Sequence, residues 1–289
     1  MSSEFRSQPQ PAPRYREVSI GHAPVAVTEE QGVLHMRSLE PLAELPTRLL
    51  DRLVHWAQVR PEQTFIAARQ PGGDWRRVSY REMLDSVRAI AQGLLSYGLS
   101  ADKPLALLSG NDIEHLQVAL GAMYAGIPYC PVSPAYSLLS QDFAKLRHVC
   151  DLLQPGLVFV SDAAAYQRAI DAVLPAETPL ISVRGHVPGR TQVSFASLLQ
   201  TAAGSAADQA FMATGPDSIA KFLFTSGSTK LPKAVITTQR MLCANQQMLL
   251  QTFPVFGEEP PVLVDWLPWN HTFGGSHNVG IVLYNGGTF

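Results

Sequence analysis

The chain has 289 residues, of which 46% are hydrophobic and 16% charged, and its formal net charge is −2. This composition is typical of a soluble globular protein, and it disfavours a nucleic-acid binder, which is usually basic. No apolar run reaches the ~18–20 residues that a bilayer requires, so we predict no membrane span. The three cysteines are odd in number and lack metal-ligand spacing. Cys130 lies among apolar neighbours as a buried thiol would, and we infer a reducing cytoplasm.

Residues 1–44 are predicted to be a lead-in to the fold, disordered at its start. The first segment, "MSSEFRSQPQPAPRYREV", is rich in Gln, Pro, Ser and Arg, a composition that disfavours a packed core. It has no apolar h-region, so it is not a secretory signal.

From about residue 45 onward, the hydrophobic pattern alternates between helix and strand. Pro71-Gly72-Gly73 between "TFIAAR" and "DWRRVSY" indicates a hairpin, and an amphipathic helix ends at Gly98. The strands "PLALLS", "IPYCPV", "GLVFVS" and "PLISV" are then separated by helices through 112–124, 140–152 and 163–173. This order predicts an α/β fold of mostly parallel strands covered by helices. Residues 201–217 are predicted to be a surface connection or a short excursion.

A small, polar, basic loop, "TSGSTKLPKA" at residues 225–234, lies between two predicted strands, "IAKFLF" and "AVITT". A Walker-type loop is excluded because no Gly-Lys-Ser/Thr occurs and a β-branched segment follows. A serine hydrolase is disfavoured because G-x-S-x-G is absent. An exposed turn explains the glycine and serines, but it explains neither Pro232 nor Lys233.

A loop that wraps a triphosphate accounts for all of these residues. Gly227 lets backbone N–H groups approach anionic oxygens, and Lys233, directed by Pro232, supplies the counter-charge. Hydroxyls come from Thr225, Ser226, Ser228 and Thr229. We therefore favour phosphate binding over an idle turn.

Four segments resemble, in order, the motifs of adenylate-forming enzymes. This superfamily comprises acyl- and aryl-CoA synthetases, luciferases and peptide-synthetase adenylation domains. "FTSGSTKLPKAV" resembles its phosphate loop, and "DWLPWNHTFGG" its Pro-x-x-His motif beside the acyl pocket. "RRVSYREMLDSVRAIAQGLLSYGL" and "AMYAGIPYCPVSPAYS" resemble further family segments. The likeness covers nearly everything after residue 45, and "KFLFTSGSTKLPKAVITTQRMLCANQQ" is most similar to the feruloyl-CoA synthetase branch.

The resemblance implies an enzyme that uses ATP, Mg²⁺ and coenzyme A on a small aromatic acid. Ferulate or a related hydroxycinnamate would become acyl-AMP and then acyl-CoA. Residues 225–229 and Lys233 would bind the phosphates of ATP, and the acyl pocket would include His271, Phe273 and Trp269. Trp266 is a further candidate for that pocket, although tryptophans beside a strand are more often core.

The resemblance also implies parts that this sequence does not match. No Tyr-Gly-x-Thr-Glu motif occurs, so residues 45–289 are predicted to be an incomplete N-terminal large domain without the small C-terminal domain. Residues 1–289 alone are then expected to be inactive. Lys230 and Ala234 stand where the superfamily usually has glycine. A fatty acid–CoA ligase and a non-catalytic nucleotide-binding fragment stay open as alternatives.

Overall fold

A computed structural model describes residues 15–225 and 231–289. Its strands are β1 (Val25–Glu30), β2 (Val33–Ser38), β3 (Thr64–Arg69), β4 (Trp75–Ser79), β5 (Leu105–Leu108), β6 (Tyr129–Pro131), β7 (Leu157–Asp162), β8 (Leu180–Arg184), β9 (Gln192–Ser194), β10 (Ile219–Thr225) and β11 (Lys233–Thr238). Its α-helices are α1 (Asp51–Val59), α2 (Tyr80–Leu94), α3 (Ile113–Tyr124), α4 (Pro134–Leu138), α5 (Ala144–Leu153), α6 (Ala163–Val173), α7 (Phe195–Leu199), α8 (Ser205–Ala213), α9 (Gln239–Thr252), α10 (Val255–Glu258) and α11 (Val279–Asn285). Leu95–Tyr97 forms a 3₁₀ turn and Phe273–Asn278 a π-helical turn.

The main sheet has seven strands in the order β11-β10-β6-β5-β7-β8-β9. All neighbouring pairs are parallel except β10 and β11, which form an antiparallel pair at one edge. The predicted α/β fold with mostly parallel strands is therefore confirmed. The chain moves from β5 to β6 on one side and then to β7 on the other, which makes β5 the point where the strand order reverses.

Apolar side chains alternate between the two faces of the sheet and bury both. Leu105 and Leu107 of β5 belong to one buried cluster together with α2 and α3, whereas Ala106 and Leu108 belong to a second cluster with α5 and α6. Because successive strand residues point to opposite faces, a strand covered on both sides reads as a continuous apolar run. This explains why "LALL" carries no polar alternation.

Helix ends follow the signals in the sequence. Ser79 and Glu82 form a capping box at the start of α2, and Gly98 takes the left-handed conformation after it, with φ of 61°. Asp112 caps α3 by accepting a hydrogen bond from the His115 N–H at 2.6 Å. These caps satisfy backbone groups that a helix end leaves unpaired, so they fix where each helix begins or ends.

Two hairpins lie outside the main sheet, and only one of them was predicted from the sequence. The predicted hairpin is β3–β4, and the backbone of Phe289 hydrogen-bonds alongside β3, to Phe65 and Ala67. The predicted lead-in also contains a hairpin, β1–β2, which the sequence analysis did not indicate and whose residues are mostly exposed.

The segment predicted as a surface connection over residues 201–217 contains a helix, α8. Its Ala207 and Phe211 are four residues apart and buried, and the Phe211 ring stacks on Tyr124 with the centroids 4.3 Å apart. These two buried residues, one helical turn apart, attach this segment of small residues to the core. The short excursion is thus a packed element of the core.

The cysteines Cys130, Cys150 and Cys243 are buried and free. Burial raises the pKa of the Cys130 thiol and brings the pKa of both Cys150 and Cys243 to about 12. Since the thiolate is the reactive form, these cysteines are unreactive core residues. Over residues 15–225 and 231–289, no helix is long and apolar enough to cross a membrane.

Strand β10 contains a bulge at Ala220. Ile219 pairs with Thr238 and Lys221 with Thr237, so two steps along β10 correspond to one step along β11. Ala220 and Lys221 are both buried, and Phe222 then packs on the opposite cluster. The bulge therefore places two consecutive residues toward the same side of the sheet.

Candidate functional site

The predicted phosphate loop begins and ends at the edge of the sheet. Thr225, the last residue of β10, is paired with Lys233, the first residue of β11. Both are exposed. The predicted binding residues Ser226, Gly227, Ser228 and Thr229, together with Lys230, lie outside the described residues. The hydroxyl of Thr225 and the amine of Lys233 thus flank the two ends of the loop.

The returning end of the loop is held by α5. The His148 Nε2–H donates a hydrogen bond to the Pro232 carbonyl at 2.9 Å, and Pro232 is buried. This contact fixes the residue before Lys233, and it could not be predicted because His148 lies far away in the chain. Ala234 pairs with Phe224 in regular strand conformation, so a glycine is not needed at that position.

A cleft of about 220 Å³ brings Thr225 and His271 together. Its other walls come from Ser133 after β6, from Leu223 of β10 and from Asn270. Because β5, β6 and β10 are adjacent and parallel, their carboxyl ends lie at the same edge of the sheet. Open α/β sheets bind ligands at this edge, where the strand order reverses.

His271 offers a defined donor in this cleft. Its Nδ1 accepts a hydrogen bond from the Phe273 N–H at 3.3 Å. In a neutral imidazole the proton then resides on Nε2, which becomes a donor. The His271 side chain is exposed.

Asn111 fixes the segment that carries His271. Its side-chain N–H donates to the Leu267 carbonyl at 2.7 Å, and its side-chain oxygen accepts from the Trp269 N–H at 3.0 Å. Asp265 holds the same segment through the Leu267 N–H and the Asn278 side chain. The loop after β5 thereby positions the predicted Pro-x-x-His motif, and Asn111 is a residue that the sequence analysis missed.

The three residues predicted for the acyl pocket do not meet in one cavity. His271 lines the cleft beside Thr225, whereas Phe273 is 50% exposed and contacts the His277 ring, with the ring centroids 4.8 Å apart. Trp269 is only 5% exposed and packs edge-on against His115, at 5.4 Å between centroids. Trp266, in contrast, is 84% exposed and lines a neighbouring cleft.

A second cavity, which we call the donor cavity, lies inside the protein behind this segment. It is enclosed by β10, α3, α9 and the segment 269–283, and its polar lining includes Lys221, Trp269 and Ser276. The Lys221 ammonium donates to the Gly275 carbonyl at 2.9 Å and lies 5.8 Å from the centroid of the Tyr129 ring. The sequence sign of this residue is a lysine inside the apolar run "IAKFLF", and Lys221 was not among the predicted site residues.

Burial controls the protonation of the groups around the donor cavity. Removal from water lowers the pKa of Lys221 from 10.5 to about 7, because the charged form loses its hydration. The same cause lowers the pKa of His115 to about 3, so this histidine is neutral. His115 is hydrogen-bonded through Nδ1 to the Ser109 hydroxyl at 2.6 Å.

Together these features define an α/β protein with a ligand cleft at the carboxyl edge of an open, mostly parallel sheet. The family model for AMP-binding enzymes matches residues 53–289, so the chain belongs to the AMP-binding enzyme family. This membership confirms the resemblance to adenylate-forming enzymes at the level of the superfamily.

Known proteins that are similar to the chain include several acid-activating ligases. An octahydroindenyl-propanoyl:CoA ligase of Rhodococcus jostii is 25% identical over 253 residues, which cover 86% of this chain and 48% of that protein. A medium/long-chain fatty acid–acyl-carrier-protein ligase of Mycobacterium tuberculosis is 26% identical over 74% of this chain and 37% of its own length. The chain thus spans about half, or less, of the length of these relatives.

Among solved structures, the chain is similar to a fatty acyl-adenylate ligase from L. pneumophila in complex with acyl adenylate and pyrophosphate. The TM-score is 0.62 and the identity 18%, over 83% of this chain and 38% of that one. At this identity the likeness establishes the fold. The N-terminal part of an adenylate-forming enzyme is therefore the architecture of residues 53–289.

Proposed function

We propose that the protein containing this chain is an acid–CoA ligase that acts on a hydroxycinnamate such as ferulate. ATP and the acid would give acyl-AMP and pyrophosphate, and the thiol of coenzyme A would then displace AMP. The observation that carries this proposal is the meeting of Thr225 and His271 in one cleft, on a chain of the AMP-binding enzyme family. The proposal assigns Thr225 to the phosphate loop and His271 to the acid-binding motif.

In this proposal, the segment from Thr225 to Lys233 binds the β- and γ-phosphates of ATP. Hydroxyls and backbone N–H groups donate to phosphoryl oxygens, and the Lys233 ammonium neutralises part of their charge. Phosphoryl transfer depends mainly on positioning and charge stabilisation, so these donors suit the chemistry. His271 lines the same cleft, and in this proposal its Nε2–H orients the carboxylate.

A magnesium ion that binds with the nucleotide would find hydroxyl and amide oxygens in the cleft, from Ser133, Thr225 and Asn270. Within residues 15–225 and 231–289, no group of three His, Cys, Asp or Glu side chains is placed to hold a metal. Mg²⁺ commonly binds substrate phosphates with one or two protein ligands, so such a cage is not required. When bound, the ion would neutralise charge on the phosphoryl oxygens.

The identity of the acid substrate rests on fewer observations than the binding of ATP does. Trp266 near the cleft and Trp269 behind it offer aromatic surface, and contacts between aromatic rings contribute about 0.5–1.5 kcal/mol beyond area burial. A fatty acid is the second candidate, because two of the similar proteins are named for fatty acyl substrates. A cytoplasmic location, where the cysteines stay reduced, is also part of the proposal.

ATP–pyrophosphate exchange and thioester formation by the whole protein would test this function. Ferulate, p-coumarate, benzoate and octanoate would be compared at equal concentration, with a no-enzyme blank. We expect the two hydroxycinnamates to give the highest kcat/KM. A preference for octanoate would assign the protein to the fatty acyl branch, and no exchange with any acid would favour the non-catalytic alternative.

A further inference from the structure

We infer that the apolar face of the β1–β2 hairpin binds a second copy of this chain, so that the protein associates as a two-fold dimer through its hairpins. The hairpin lies in the N-terminal segment, which takes no part in the proposed reaction. The hairpin surface is therefore independent of the cleft and of the identity of the acid.

The β1–β2 hairpin has one apolar face and one polar face. Side chains alternate along a strand, and Val27 pairs with Met36, so the residues of each face follow from this register. One face carries an apolar stripe across both strands, which we call the hairpin stripe: Val25, Val27, Leu34 and Met36. The other face carries mainly polar side chains: Ala26, Thr28, Glu30, Val33, His35 and Arg37.

The hairpin stripe is uncovered within the part of the chain that the structure describes. Its four side chains are 48–74% exposed, and Ala26 alone among the residues of the two strands is partly buried. A two-stranded hairpin by itself is marginally stable in water, and an antiparallel sheet with one apolar face normally packs that face against another layer. The hairpin thus requires a covering layer over the stripe.

The hairpin is anchored at its open end, on α9. Before β1, the Gly21 N–H donates to the Thr252 carbonyl at 2.9 Å. After β2, the Ala43 N–H donates to the Gln251 side-chain oxygen, also at 2.9 Å. Because both connections lead to the end of one helix while the strands themselves stay exposed, the stripe is accessible to a second molecule.

The distribution of charge on this face favours an identical surface as the partner. The stripe itself is uncharged, and the polar residues Glu29 and Ser38 lie at opposite corners of the face, one beside the turn and one at the open end. Two copies related by a two-fold axis can pack stripe on stripe and leave these corners at the rim, as in a self-complementary interface. An acidic or basic peptide would find no charge to pair with in the stripe.

The size of the stripe suits a weak, reversible dimer. Full burial of one side chain of this kind removes roughly 60–120 Å² of apolar surface from water, so four partly exposed ones offer on the order of 300 Å² per copy. Two stripes with their rims would bury on the order of 600–1,000 Å², which is the low end for specific interfaces. We therefore expect a dimer that dissociates on dilution, with a dissociation constant of about 10–100 μM.

Sedimentation equilibrium of the whole protein would test this association, over about 1–200 μM. In Met36→Glu, a two-fold dimer would bring two carboxylates into the apolar interface, so the dissociation constant should rise at least about tenfold. His35→Glu is the matched control, since it adds the same charge one residue away on the polar face. We expect His35→Glu to associate like the wild type.

A charge-pairing experiment identifies the surface more directly. Met36→Glu and Met36→Lys should each be monomeric alone, and an equimolar mixture should associate again, because opposite charges then meet across the two-fold axis. Hydroxyl-radical oxidation of Met36 in the wild type should also decrease as protein concentration rises.

Three results would overturn the inference. The first is a whole protein that stays monomeric at every concentration. The second is a dimer that responds equally to Met36→Glu and His35→Glu, which would place the interface elsewhere. The third is protection of Met36 that does not change with concentration, which would assign the face to another part of the same polypeptide.

Discussion

The cleft at Thr225 and the donor cavity at Lys221 lie on the same strand but in opposite environments. Lys233, which pairs with Thr225 of the cleft, is exposed, and its side chain is in contact with water. Lys221 is buried, and its ammonium has lost water without gaining a carboxylate. A charge in water costs the fold little, whereas a buried charge reduces stability unless a partner compensates it.

The two lysines differ in how much their position costs the folded protein in stability. In the proposed phosphate site, affinity for a polyanion would come from the charge of Lys233, which an exposed position carries at little cost. At Lys221 the folded protein instead holds a buried amine at a cost in stability. Substitutions in the two regions should therefore affect different measurements.

The largest expected effect is a pH-dependent gain in stability on Lys221→Met. The folded protein holds Lys221 mostly neutral above pH 7, whereas the unfolded chain keeps the proton up to about pH 10.5. The unfolded state thus binds more protons in this window, and wild-type stability rises with pH. Methionine has no proton to lose, so its stability gain should shrink by about 2–3 kcal/mol between pH 6 and pH 9.

Urea unfolding at the two pH values would measure this change. Lys103→Met is the matched control, since it removes the same charge from an exposed position. A gain of Lys221→Met that stays constant with pH would mean that Lys221 keeps its proton in the folded protein, and the contrast with Lys233 would then be lost.

The next effect concerns Lys233 and should leave stability unchanged. Lys233→Ala is expected to lower kcat/KM for ATP by about 10- to 100-fold, the size of a hydrogen bond to a charged group. The measurement is pyrophosphate exchange at limiting ATP, with Lys103→Ala as the control. Unaltered kinetics at limiting ATP would remove Lys233 from the phosphate site.

The smallest effect is expected for His148, which acts on the loop through the Pro232 carbonyl. His148→Ala removes one hydrogen bond to a neutral acceptor, so KM for ATP should rise by about 2- to 10-fold with little change in kcat. His148→Gln keeps an N–H donor and should restore part of the loss. A purely structural role would instead lower stability in His148→Ala and leave KM unchanged.

Much of the fold could be predicted because its signals are local. Apolar runs, the Pro-Gly-Gly turn and the stop at Gly98 located the strands, the β3–β4 hairpin and the end of α2. The β1–β2 hairpin was missed because its residues are mostly exposed, so no buried face marks the sequence. Helix α8 was missed because its order comes from a distant stacking partner, Tyr124.

The motifs of the site could be predicted from the sequence. The residues that hold those motifs in position could not. Thr225, Lys233 and His271 belong to segments that resemble family motifs, and the structure places Thr225 and His271 on one cleft. Asn111 and His148 act on main-chain groups far along the chain, at Leu267 and Pro232. Such contacts depend on which strands become neighbours, and a single sequence does not carry that information.

The bulge at Ala220 affects what the deletion of a single codon would do to this strand. Because side chains along a strand alternate with a period of two, loss of one codon normally turns all following residues to the other face. Here Ala220 is the extra residue opposite β11, so its deletion would convert the pairing to a regular ladder. Ile219 before the deletion and Lys221 through Thr225 after it would keep their partners on β11, so no residue of this pairing would turn to the other face. The codon for Ala220 is therefore one that this strand could lose without a change of register on either side.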